Sequence, residues 1–78
     1  MTEFKINLRS IDDVKTFVTA TSLMGCDIDV LSGRYLVDAK SIMGLFSLDL
    51  SRSVTVQVHG DAAAASKLRE EIASLVAE

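Results

Sequence analysis

Several short stretches of this sequence carry groups that could do chemistry. The first is Ser41, placed before Ile42, Met43, Gly44, Leu45 and Phe46. A serine at the start of such a run predicts an N-cap, its hydroxyl accepting a first-turn amide, and the same hydroxyl is a possible phosphoryl acceptor. The second is Ser10 with Asp12 and Asp13 behind it. Ser10 and Asp13 stand at capping-box spacing, and acids in a first turn suit the positive end of a helix dipole. The third is His59, the sole imidazole, the side chain that titrates near neutrality and can accept a proton or a phosphoryl group. The fourth is Cys26 with Asp27 and Asp29. Alternation puts Cys26 on an apolar side and both acids on an open one, where they form either a weak cation site or a solvated face.

From Ser41 to Leu48 there is no charge, yet the apolar residues do not all fit one helical face. Leu45 and Leu48, with Leu50 after them, can enter a core. Ile42, Met43 and Phe46 are then left nearer the outside, an apolar cluster beside a capping serine that reads as a docking surface.

These groups need elements to hold them. Phe4, Ile6 and Leu8 alternate with Lys5, Asn7 and Arg9, the period of a half-buried strand. After Ser10, the residues Ile11, Val14, Phe17, Val18 and Thr21 predict a helix over Ile11–Leu23, stopped by Gly25. Cys26, Ile28 and Val30 open a second strand; a Ser32-Gly33 turn leads into a third over Arg34–Val37, making a hairpin. The Ser41 helix follows. Val54, Val56 and Val58 give a fourth strand, which places His59 on its polar face. Gly60 and Asp61 introduce a last helix from Ala62 to about Val76, with Ala65, Leu68, Ile72, Leu75 and Val76 buried and Lys67 paired to Glu71. The order β-α-β-β-α-β-α, with one apolar face per strand, predicts an α+β fold: a four-stranded antiparallel sheet covered on one side by three helices.

Composition narrows the function classes. The 78 residues are expected to form one domain, and a net charge of −3 does not attract nucleic acid or an anionic membrane. One cysteine cannot close an internal disulfide, and one cysteine with one histidine falls short of a zinc ligand set. No apolar run approaches the roughly 18 residues of a spanning helix and no signal core opens the chain, so a cytoplasmic location is expected. No residue pattern calls for a cofactor or a metal.

The run Asp38-Ala39-Lys40-Ser41-Ile42-Met43-Gly44-Leu45 resembles the regulatory-serine motif of HPr, the histidine-containing phosphocarrier protein of the bacterial sugar phosphotransferase system. The likeness is specific from Val37 to Leu50, and the element order agrees over nearly the whole chain. The resemblance implies an open-faced β-sandwich. It also implies that Ser41 is the residue phosphorylated by a dedicated HPr kinase/phosphorylase in many Gram-positive bacteria, and that Ile42, Met43 and Phe46 occupy the patch facing enzyme I, that kinase and the catabolite control regulator.

The chain departs from the family where HPr carries its phosphate. Counting back without a gap, the histidine position falls on Ser10, and the arginine and proline positions fall on Asp12 and Asp13. A serine ester is a poor phosphoryl donor beside a phosphorylated imidazole, and the two acids occupy the place of an incoming phosphate. The expectation is therefore a regulatory or interaction module, not an enzyme, with carrier transfer lost. The alternatives are a phosphocarrier working through His59 or a partner's residue, and an assembly module forming a homodimer through an exposed sheet edge or the apolar patch.

Overall fold

The computed structural model describes residues 2–77. Its elements are β1 (Thr2–Ile6), α1 (Ile11–Ser22), β2 (Ile28–Ser32), β3 (Tyr35–Asp38), α2 (Ile42–Phe46), β4 (Val54–Val58), α3 (Ala62–Glu71) and a terminal 3₁₀ turn (Ala73–Leu75). The strands form one antiparallel sheet, as the alternation predicts, and their order in it is β1-β4-β2-β3.

The inward faces of the strands contribute Phe4, Ile6, Ile28, Val30, Val54, Val56 and Val58 to the core, and the helices close over them with Val14, Phe17, Leu45, Leu68 and Ile72. The other face stays open. Two cross-strand rows run over it: Glu3, Gln57, Asp29 and Asp38, then Lys5, Thr55, Leu31 and Leu36.

Several local expectations are corrected. β1 ends at Ile6, and Leu8 is buried beyond it. Gly25 does not cap α1: Leu23 does, with ordinary right-handed backbone, and the one positive-φ glycine of the described residues is Gly33. The hairpin turn is Gly33-Arg34, not Ser32-Gly33, because Ser32 pairs with Tyr35. Gly33 at φ 59° is then the first central residue of the turn, the type II′ position where only glycine avoids a Cβ clash. β2 begins at Ile28, leaving Cys26 half-buried against the core ahead of the strand. Gly60 leaves room for it: a Cβ there would lie 2.9 Å from the Cys26 sulfur.

α3 stops at Glu71 instead of reaching Val76. The chain then turns back so that Val76 bridges to Ile6, with Asn7 and Lys5 hydrogen-bonded to Leu75 and Ala77. This return covers the C-terminal end of the outer edge of β1 while keeping Ile72 and Leu75 buried. Lys67 and Glu71 make no ion pair, and the His59 ring nitrogen lies beside the Asp29 carboxylate. No helix of the described residues is long and apolar enough to cross a membrane.

Candidate functional site

Both serines singled out from the sequence are helix N-caps. Ser10 has extended backbone and its Oγ accepts the Asp13 amide at 3.1 Å. Asp13 answers by accepting the Arg9 amide at 2.9 Å, one residue earlier than in the usual capping box. Asp12 sits in the same turn. The first turn of this helix thus carries two carboxylates, a placement that the positive end of its dipole favours.

Ser41 is held by a different device. The loop before it is tied to the C-terminal end of α1, where the buried Thr21 hydroxyl meets the Ala39 carbonyl at 3.1 Å and the Lys40 ammonium donates to the Met24 carbonyl at 3.0 Å. Asp38 completes the loop, its carboxylate accepting the Lys40 amide and its carbonyl the Ser41 amide. The half-buried Ser41 Oγ accepts the Gly44 amide at 3.2 Å, and no acid stands in this first turn. Gly44 has little room for a side chain, since a Cβ would lie 3.3 Å from both Ser41 Oγ and Val37 Cβ.

The apolar patch divides. Met43 is 78% exposed and Phe46 44% exposed, whereas Leu45 is fully buried. Ile42, expected outside with them, packs half-buried against the core. Phe46 and Leu50 line a shallow groove with Ser10 and Ile11, so the start of α1 meets the end of α2 on one surface. The spacing of α1 places Ile11 on the inner face, but it is 62% exposed. As the first helical residue it projects past the end of the core, and that terminal position is its only signal in the sequence. Beyond α2, Ser51 bonds to Asp49 through hydroxyl and amide, and these bonds hold the Asp49 carboxyl below its usual range.

His59 lies elsewhere. Its ring nitrogen is 2.8 Å from the Asp29 carboxylate on the open face of the sheet, beside Asp27 and Asp38. No group of three or more histidine, cysteine or acidic residues among the described residues is arranged to hold a metal ion.

Comparison with known proteins agrees with this geometry. Among solved structures, the chain is similar to HPr-C-His from Thermoanaerobacter tengcongensis, at 30% identity with a TM-score of 0.77, covering 95% of this chain and 93% of that one. It also shares its fold with the phosphocarrier protein HPr of Bacillus anthracis strain Ames, at 23% identity and a TM-score of 0.71, covering 95% and 93% of the two chains. No curated protein matches the chain. Residues 5–78 match the family described as the PTS HPr component phosphorylation site. With the sheet order and the two serine-capped helices in place, the chain belongs to the HPr family of the phosphotransferase system.

Proposed function

We propose that this HPr-family protein is a non-enzymatic regulatory module whose working element is the Ser41 helix, with Met43 and Phe46 as its exposed docking contacts and Ile42 as their half-buried support. One observation carries the reading: of the two serine-capped helix starts, that of α1 is filled by Asp12 and Asp13, while that of α2 has no acid in its first turn. A phosphoryl group moved from ATP to Ser41 Oγ, with loss of the hydroxyl proton and release of ADP, would meet the amides of α2 and extend the cap already there. The partners this reading calls for are an HPr kinase/phosphorylase and a catabolite regulator. Carrier transfer has no support at Ser10, and His59 is engaged by Asp29 on the opposite side of the sheet from the helices.

The test is the intact mass of the protein after incubation with enzyme I and phosphoenolpyruvate, and separately with HPr kinase and ATP. An acid-stable phosphate from the kinase, absent in Ser41→Ala, is the expected result. An acid-labile phosphate from enzyme I would replace the reading with a carrier, and no phosphate from either would remove it.

A further inference from the structure

The two edges of the sheet are treated differently. The C-terminal end of the β1 edge is covered by the returning C-terminal segment, through the Asn7 to Leu75 and Ala77 to Lys5 hydrogen bonds. Among the described residues β3 pairs only with β2, and its other edge has no strand beside it. Apart from being short and ending on the charged Asp38, it carries none of the usual protections of a free edge: there is no lysine, proline or bulge from Tyr35 to Asp38. Tyr35 and Leu36 are instead 71% and 58% exposed.

We infer that this edge is a self-pairing surface, joining two copies of the chain through antiparallel β3 strands. The hairpin turn closes on the Ser32–Tyr35 pair, which makes that pair hydrogen-bonded. Tyr35 and Val37 therefore direct their backbone groups at β2, while Leu36 directs its N–H and C=O at the free edge. An antiparallel copy centred on Leu36 lets the two Leu36 residues exchange both hydrogen bonds across a two-fold axis. The same register sets Tyr35 against Val37 of the partner subunit and Arg34 against Asp38 of the partner subunit, and repeats each contact by symmetry.

The charge pattern is what selects a second copy of this chain as the occupant. The segment Arg34-Tyr35-Leu36-Val37-Asp38 is cationic at one end, anionic at the other and apolar between, so reversing it produces its own complement. On the open face, Leu31 lies opposite Leu36 in the β2–β3 pair, and the dimer joins two such leucine pairs into one stripe across the axis. Because the axis is perpendicular to the sheet, both copies present their helices, and both Ser41 loops, on the same side. A strand pair this short buries less than a standard interface of roughly 1,600 Å², so the association is weak and reversible.

Sedimentation equilibrium from about 10 μM to about 1 mM protein covers the affinity such an interface reaches. The parent is expected to show a monomer–dimer equilibrium in that range. Arg34→Asp should weaken it by about tenfold or more, since two exposed ion pairs become two repulsions. Leu36→Lys, which sets like charges on the axis, should abolish it. Asp38→Arg alone should also be monomeric, but an equal mixture of Arg34→Asp and Asp38→Arg restores both attractive pairs and should dimerise. A parent that stays monomeric to about 1 mM, or an Arg34→Asp variant that dimerises like the parent, overturns the inference. A mixture that stays monomeric while Asp38→Arg keeps the parental circular dichroism and melting curve overturns the register.

Discussion

The starts of α1 and α2 use the same cap for opposite ends. Ser10 and Ser41 both have extended backbone, and each accepts the amide three residues on, at 3.1 and 3.2 Å. The first turns behind the two caps differ. Asp12 and Asp13 neutralise the positive end of the α1 dipole from within, and Asp13 also takes the Arg9 amide. In α2 the amide accepted belongs to a glycine, the first turn carries no acid, and the loop before it is anchored by Thr21 and Lys40 to the far end of α1. Good capping geometry is thus no sign of an anion site; the charge already spent in the first turn decides whether a further anion is welcome.

The largest effect that could break this comparison is phosphoryl transfer at α1. Enzyme I should leave the parent unphosphorylated, and Ser10→His alone should remain largely inactive, because the imidazole would still face Asp12 and Asp13. Adding Asp12→Arg should raise transfer by orders of magnitude by supplying the cation that a phosphate at a helix start needs. Phosphoenolpyruvate-dependent labelling measures this, and efficient transfer in the single Ser10→His variant would show that the first-turn acids do not matter.

The next effect separates the parts of α2. Leu45→Ala removes a fully buried side chain and should cost about 2–5 kcal/mol in urea unfolding. Met43→Ser, at 78% exposure, should fall within about 0.5 kcal/mol of the parent, with Ile42→Ser between them. If Met43→Ser is as damaging as Leu45→Ala, the docking role of the α2 surface is lost.

That graded expectation also marks what the sequence can tell. Alternation in β1 and β4 and the i, i+3 spacing of Val14 and Phe17 locate the strands, the helices and the buried face, since each is a local pattern with one side to bury. Ser10 and Ser41 are legible as caps for the same reason. Ile42 is misplaced because a five-residue helix gives the pattern too few turns to define a face, and Ile11 because the end of the core is not written in its neighbours. The early end of α3 is hidden too: the segment after it bridges from Val76 to Ile6, a contact between residues far apart in the sequence. The meeting of Ser10 with Phe46 across one groove is likewise long-range and has no local signal.

A smaller effect concerns the caps as structure. Ser10→Ala and Ser41→Ala should each lose about 1 kcal/mol, read from urea unfolding, because each removes one acceptor for a first-turn amide of otherwise similar geometry. A much larger loss at Ser41 would mean that its loop depends on the hydroxyl more than on Thr21 and Lys40.

The smallest effect isolates the electrostatics. Aspartate is as good an N-cap as serine, so Ser41→Asp and Ser10→Asp preserve the hydrogen bond and add one negative charge to each helix start. At α2 that charge meets an uncompensated dipole, a gain of about 0.3–1 kcal/mol that offsets repulsion from the chain's net charge of −3. At α1 it joins Asp12 and Asp13 and should be destabilising by a similar amount. For a domain of this size, thermal melting should place Ser41→Asp within about 4–8 °C of the parent and Ser10→Asp below it. Raising salt to about 1 M should draw the two together, since a Debye length of about 3 Å screens the difference but leaves the cap bonds alone. A gap that survives high salt would locate the contrast in packing at the two caps, and the charge argument for Ser41 as the phosphate-accepting site would fail with it.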